Sequence, residues 1–508
     1  MNLWEILKAS KGLPPPDLET LLFARKIGGQ AVGGSTLKML TASGYPCVLE
    51  GSAGMPILDY KIYGNSVQDG TPTPENPIEV QSVGDKTKNL FDKNDATVKG
   101  FIKVDGSISP ISGEWFTTEN FIKCSGGISL QAKNGLGSAA YISCYDSNKV
   151  FLGCVKQNSS NDITNTIQLI EGTEYIKTCC RENNLDSYQL ELGSEVTAYE
   201  PYGYKIPVVV TGKNLFDASN TQWTNDYYLS ETGNLLASSS WRVTDYIPVR
   251  GMVFTINNRI GVAPCICLYD ANKNLIASQS YAGHKVTTVT ANELAHYCRF
   301  SLYTGGGVSS DTAQLELGSE ATAYEPYHEP ITTNIYLDEP LRKIGDYADV
   351  LDYNQNIIKR KIGKLIFTGD EAIRSTHLDR NLFMLDMKGY LRTLEITSLS
   401  SHYQTQANVT GYTSVADMRC TFYADPSALS SSLLYIRDSR FSTIADFKSY
   451  LTQQYDAGTP VTAYYAFADP ITEPISIPSI PTFDGTTVIS TDAEIQPSNM
   501  EIKYKARK

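Results

Sequence analysis

Several residue groups in this 508-residue chain have types and spacings that could do chemistry. Glu191, Glu195 and Glu200 recur as Glu316, Glu320 and Glu325. Two carboxylates about 5–10 Å apart can divide acid and nucleophile roles in glycoside cleavage. These glutamates stand beside strand leucines and turns, however, with nothing in the sequence to bury one and raise its pKa. Solvated strand faces are the plainer reading. Asp146/Asn148 and Asp270/Asn272, in two copies of Tyr-Asp-x-Asn-Lys, could offer oxygens to a structural calcium ion, but two side chains fall short of the roughly six or more oxygens required. Turn residues are the expectation there, and no other cofactor is implied. Trp115 and Trp241, together with Trp223, Tyr227, Tyr228 and Tyr303 near Gly305-Gly306-Gly307, are candidate sugar platforms, because an aromatic face stacks on the apolar face of a pyranose. Repeated Trp115 and Trp241 fit core positions better than a sugar platform, so a glycan site is expected among the unrepeated Trp223, Tyr227, Tyr228 and Tyr303. The five histidines show no metal or triad spacing. No G-x-S-x-G, Walker or dinucleotide fingerprint occurs, and no catalytic residue is assigned.

The elements that must position these residues come twice. Lys88-Asn89-Leu90-Phe91-Asp92 returns as Lys213-Asn214-Leu215-Phe216-Asp217, and Gln189–Glu195 returns as Gln314–Glu320. Each copy of the second block runs into Thr-Ala-Tyr-Glu-Pro-Tyr, at Thr197–Tyr202 and Thr322–Tyr327. The unit is too long for a solenoid repeat and fits a duplicated domain. In Tyr297–Leu302, apolar Cys298, Phe300 and Leu302 alternate with more polar neighbours, as Ile142 and Cys144 do in the first copy; this is the period of a half-buried strand. In the Leu-Glu-Leu segments the leucines are expected to face inward and the glutamates outward. Tandem antiparallel β-sandwiches are the expected architecture.

Composition narrows the function classes. The formal charge of −12 and the absence of a clustered Lys/Arg run argue against nucleic acid and against anionic membrane surfaces. No segment approaches the roughly 18 apolar residues of a spanning helix. Met1–Glu5 lacks the basic start and apolar run of a secretion signal, so synthesis and folding in the cytoplasm are expected. The ten cysteines do not form a repeated framework: Cys144 aligns with Leu268, and only Cys180-Arg181 and Cys298-Arg299 are expected to correspond. Reduced, mostly buried thiols follow.

The organisation expected along the chain is a docking segment at 1–60, a turn-dense extended linker at 61–87, and β-sandwich repeats at 88–205 and 206–327. A third, mostly β domain follows at 328–470, then an extended tail at 471–508 that packs at a module edge or between subunits. In the docking segment a helix is expected from Pro14-Pro15-Pro16 through Leu22 and Ala24-Arg25 to Gly28-Gly29. In the third domain Thr443 should cap a helix over about 443–456, with Ile444, Phe447 and Leu451 as its stripe and Gly458 at its end.

Several phrases resemble tail and baseplate proteins of phages, prophages or phage-tail-like bacteriocins of Gram-positive bacteria. They are Tyr63–Pro74 leading to Asn89–Asp92, the Leu-Glu-Leu-Gly-Ser-Glu…Tyr-Glu-Pro-Tyr blocks, Pro340–Asp346, Pro481–Thr487 and Pro497–Met500. The resemblance covers residues 60–508. It implies a virion structural protein that is not an enzyme, with jelly-roll carbohydrate-binding modules directed at cell-wall polysaccharide. It implies other tail proteins as partners through the amino-terminal segment, and a homo-oligomer, a trimer being favoured. A purely architectural part without glycan binding, and a wall hydrolase with accessory modules, are the alternatives.

Overall fold

The computed structural model describes residues 22–27, 30–31, 47–51 and 60–503. Within that last range it leaves out 111–113, 125–128, 134–140, 157–163, 194, 196, 220, 250–252, 258–264, 281–285, 291–293, 305–312, 318–320, 387–398, 407–413, 425–431, 484–485 and 498–499. The protein is mainly β, with strands paired antiparallel almost throughout and the helix Ile444–Asp456. No helix among the described residues is long and apolar enough to cross a membrane.

A scaffold is assembled from pieces far apart in sequence. Strand Tyr204–Gly212 lies between Ile331–Leu337 and Thr487–Thr491, and Thr487–Thr491 pairs in turn with Cys47–Gly51. A second sheet runs in the order Leu399–Ser400, Thr462–Pro474, Ile357–Ile366, Val350–Asp352, Tyr60–Tyr63 and Glu494–Pro497. The two sheets share one apolar core, which includes Tyr60, Ile62, Val208, Val210, Ile335, Leu351, Ile489 and Ile495. Residues 61–87 and 471–497 therefore supply sheet strands. Strand Thr487–Thr491 sits inside a sheet, where long-range pairing uses the β-branched run that reads locally as an extended tail. The chain also approaches itself too closely for a side chain at Gly64: an added Cβ would stand 2.3 Å from the Arg342 carbonyl oxygen.

The two repeats hang from this scaffold, before and after Tyr204–Gly212, and they are built alike. In the first, Ser129–Lys133 pairs with Thr164–Gln168 and Gln189–Leu192; in the second, Val253–Asn257 pairs with Val286–Thr290 and Gln314–Leu317. Both hairpins leading into Tyr-Asp-x-Asn-Lys carry a register shift at the same place, Cys144/Tyr145 and Leu268/Tyr269. In the second repeat, Phe254, Ile256 and Leu315 of one sheet meet Ile266, Phe300 and Leu302 of the other in a single core.

The pairing corrects the cysteine alignment. Tyr145 faces Tyr175 and Tyr269 faces Tyr297, so Cys298 matches Ile176. Trp115 faces Arg181 and Trp241 faces Tyr303, so Cys180 matches Leu302. The dipeptide Cys-Arg recurs by coincidence and no cysteine position is shared. Among the eight cysteines whose side chains are described, seven are buried and all eight are free.

A third unit carries the helix. Thr443 Oγ1 accepts from the Asp446 N–H at 3.1 Å, as the capping residue should. Phe447 and Leu451 are fully buried, and Phe447 stacks on Phe383 at 4.1 Å. Gly458 takes the left-handed conformation at φ +75° and ends the helix. The helix expected in the amino-terminal segment is corrected where the structure describes it. Leu22–Ile27 is a strand paired with Met500–Lys503, a long-range partner overriding local helical propensity. Residues 1–21, with the proline run, lie outside the described residues.

Candidate functional site

The repeated phrases form a latch that closes each module. Asn89 Oδ1 accepts from the Phe91 and Leu190 N–H groups, both at 3.0 Å. Asn214 Oδ1 accepts from Phe216 and Leu315 at 3.1 and 3.2 Å. Gln189 Oε1 takes the Glu200 N–H at 2.7 Å and Gln314 Oε1 the Glu325 N–H at 2.8 Å. Glu191 accepts from the Thr197 N–H and hydroxyl at 2.6 and 2.7 Å, and Glu316 does the same with Thr322 at 2.7 and 2.6 Å. Both glutamates are essentially buried, at 2% and 1% exposure, while Leu192 is 44% exposed. Leu190 and Leu315 are buried as expected, but the glutamate-out half of the reading is corrected, and Leu192 faces outward. The carboxylate turns inward because Thr197, six residues on, supplies two donors that offset its desolvation. Glu195 is exposed and Glu320 lies outside the described residues.

Glu200 and Glu325 finish the latch and fasten it outward. Glu200 accepts from the Lys88 N–H at 3.1 Å and pairs with Lys205 Nζ at 2.6 Å. Glu325 takes the Thr486 N–H and hydroxyl at 2.8 and 2.9 Å and pairs with Lys213 at 2.9 Å. Burial pushes both carboxyls up. The hydrogen bonds and lysine charges outweigh it, and both end below the ordinary carboxylate range. A depressed folded value gives stability that is full above the unfolded pKa, near 4.5, and is lost as pH falls through the folded value. We therefore expect the acid limb of the stability curve to flatten in a Glu200→Gln, Glu325→Gln double variant. Thermal midpoints taken from pH 6 to pH 3, an interval of about three units, check this; an unchanged slope would place the acid lability elsewhere.

An open cleft of about 500 Å³ lies on the second latch. It is lined by Phe216–Ser219 and by Tyr324, Pro326, Tyr327 and Glu329, with Asn214 and Ala313 also in the lining. Tyr324 is 43% exposed. Burial, then the Asp217 and Glu329 charges, raise the Tyr327 hydroxyl above its ordinary value, so it stays a hydrogen-bond donor. Sequence reasoning missed this cleft. The available signal was where the copies differ, since Ala218 and Ala313 stand where the first repeat has Lys93 and Tyr188.

The aromatic candidates divide. Trp115 is buried with the Arg181 guanidinium 5.3 Å from its ring centre. Trp223 packs edge-on to Phe216 and donates from Nε1 to the Ala218 carbonyl, with Arg242 3.8 Å over its ring; its face is covered. Tyr228, Trp241 and Tyr303 form a half-buried cluster, with Trp241 6.2 Å from Tyr228 and 5.1 Å from Tyr303. Tyr227 is exposed on the same strand as Tyr228, and Gly305-Gly306-Gly307 lie outside the described residues. The structure thus brings Tyr228, Trp241 and Tyr303 together, and none of them is among the described lining residues of the Tyr324–Tyr327 cleft.

The calcium candidates are turn residues. Asp146 Oδ1 accepts from the Asn148 and Val150 N–H groups, and Asp270 Oδ1 from Asn272 and Asn274, all at 2.8 Å. Lys149 and Lys273 complete the turns at φ +59° and +65°. Among the described residues no group of three or more His, Cys, Asp or Glu is placed to hold a metal. His402 Nδ1 lies 2.8 Å from Ser401 Oγ, but both residues are buried and that hydroxyl accepts the Thr462 N–H. Packing, rather than a solvent-open cleft, surrounds the pair.

No family model, curated protein or solved structure matches the chain.

Proposed function

We propose that this protein is a structural component of a phage tail or baseplate, or of a phage-like particle, and contributes to attachment at the bacterial surface through weak, multivalent contacts with cell-wall glycans. The observation that carries the reading is the cleft beside the second latch. It is open and flanked by Tyr324 and Tyr327, with hydroxyl and carboxylate groups around them, the mixture of flat apolar faces and polar readers that suits a sugar. Two sheets sharing one core, repeated in tandem, fit jelly-roll carbohydrate modules. Single sugar sites bind weakly. Assembly into a homo-oligomer, a trimer being favoured, would raise avidity by about 10²–10⁴ where geometry permits. The amino-terminal segment would dock to other tail proteins, and the cell-surface polysaccharide is the partner at the other end. The net charge of −12 suits neither nucleic acid nor insertion into membranes.

One observation favours an architectural role for the first repeat. Lys149 of its hairpin pairs with Asp456 at 2.9 Å, and the Tyr175 hydroxyl donates to the Asp456 carbonyl, at the end of the helix. That hairpin is spent on a neighbour within the chain.

Retention of the full chain on purified walls, with walls stripped of secondary polymers as control, tests the proposal. Cutting at 327/328 would separate Ile331–Leu337 from Tyr204–Gly212, so point variants replace fragments. Saturable retention that is lost on stripping is expected. No retention, even for an artificially trimerised chain, would leave the architectural role.

A further inference from the structure

We infer that the cleft of the second repeat takes a short saccharide bearing a free amine, and that the first repeat holds no equivalent site. This rests on the glycan-attachment reading above and specifies the ligand.

The asymmetry comes from side chains that differ between latches whose Asn, Gln and Glu191/Glu316 bonds match. In the first repeat Tyr188 is fully buried against Phe91, with ring centres 4.7 Å apart, and its hydroxyl meets Thr178 Oγ1 at 3.1 Å. In the second repeat the ring on the matching Phe216 comes from Phe300, 5.2 Å away on another strand, and Ala313 takes the place of Tyr188. Thr178 and Phe300 hold matching positions, since each is bonded to the matching threonine, Thr118 or Thr244. Phe300 thus supplies the ring on Phe216, while the place next to the latch glutamine is a methyl group in the cleft lining. Lys93, which matches Ala218, pairs with Asp186 at 2.6 Å. Glu329 replaces Tyr204, which in the first repeat belongs to a scaffold strand.

The ligand class follows from charge and shape. The volume falls within the roughly 300–1,000 Å³ of small-ligand sites. Asp217 and Glu329 line the cleft together with Tyr327, and both charges raise its hydroxyl. No lysine or arginine is among the described lining residues. Lys213, next to Asn214 in sequence, is committed to Glu325 at 2.9 Å and the Ala323 carbonyl at 2.7 Å. A phosphodiester or uronate would meet the like charge of Asp217 and Glu329 in that lining. An ammonium group gains charge-assisted bonds to the carboxylates and attraction to the tyrosine faces, while the ring it is carried on stacks.

Calorimetric titration of the full chain tests this with four probes: a glucosamine tetramer, its N-acetylated form, poly(glycerol phosphate) and tetralysine. The glucosamine tetramer should bind at one site per chain. Acetylation should weaken it about tenfold or more, and so should the Asp217→Asn, Glu329→Gln double variant. The amide oxygen of the Asp217→Asn side chain would keep the acceptor that Asp217 Oδ1 offers the Ser219 N–H at 2.9 Å, so the fold is retained. Equal binding of the acetylated probe, preference for the polyanion, tetralysine binding as tight as the sugar, two sites per chain, or an indifferent double variant would each overturn the inference. If wall retention persists alongside such a result, the attachment reading stands and only the ligand assignment fails. If wall retention is absent too, the attachment reading itself fails.

Discussion

Asn89→Ala should lower the unfolding transition of the first repeat by about 10 °C or more, and Asn214→Ala should do the same to the second. Each asparagine sits at the point where the first segment of its module meets the last strand. Its Oδ1 serves two buried N–H groups at once, one two residues ahead and one about a hundred residues away. Asn89 Nδ2 also donates to the Tyr188 carbonyl at 3.1 Å. Alanine cannot replace the acceptor, and Asn89 is only 3% exposed, so water cannot readily do so. Each orphaned N–H costs about 1–3 kcal/mol. Two of them amount to about 2–6 kcal/mol, and a module of this size loses about 4–8 °C per kcal/mol. Scanning calorimetry of the full chain is the measurement, with each transition followed separately because a chain of several units need not melt in one step. A shift of about a degree or less would show that the latch is a consequence of closure and contributes little to it.

The latch was legible in the sequence because its parts are repeated, whereas the scaffold was not. Asn89/Asn214, Gln189/Gln314 and Glu191/Glu316 stand at matching places in both copies, so the phrases were visible even though their role was misread. Period-two reasoning put Glu191 outside; what it lacked was the pairing with Thr197, a polar contact that hydrophobic alternation does not register. The helix Ile444–Asp456 was legible for a local reason, since its cap, stripe and stop all lie within sixteen residues, Thr443 to Gly458. The scaffold depends on pairings such as Val208 with Thr333 and Val210 with Ile489, between segments separated by a whole repeat or more. Nothing near Val210 announces that partner. The cleft was hidden for a different reason. It arises where Ala218 and Ala313 break the likeness between copies, and an eye trained on the repeat passes over its exceptions.

Asp349→Ala should cost about 3–5 kcal/mol, the effect expected when one partner of a buried, hydrogen-bonded ion pair is removed. Asp349 is at 0% exposure in the scaffold. Strand Ile357–Ile366 shifts register against Thr462–Pro474 between Arg360 and Ile362, and Asp349 Oδ1 takes the N–H groups of Lys361 and Ile362 there at 2.7 and 2.9 Å. Its Oδ2 takes the Arg342 N–H at 2.9 Å and lies 3.5 Å from the Arg360 guanidinium. Truncation leaves three N–H groups without their acceptor and removes the buried counter-charge of Arg360, which keeps Glu473 and the Pro340 and Glu339 carbonyls. Because both repeats hang from this scaffold, the loss should appear in the scaffold transition and spread to theirs. Asp349→Asn separates charge from hydrogen bonding. Burial holds the Asp349 carboxyl above its ordinary value despite the opposing hydrogen bonds and Arg360. A raised folded value means that ionisation costs the fold stability, so this group's contribution improves as pH falls through that value toward the unfolded one. The amide does not titrate. The deficit of Asp349→Asn relative to the native chain should therefore widen between neutral pH and about pH 4, opposite in sign to the Glu200 and Glu325 effect. Denaturant titrations of both proteins at the two pH values decide it: a deficit that narrows would mean that Arg360 and the three N–H groups outweigh desolvation, and that Asp349 is ionised to the benefit of the fold.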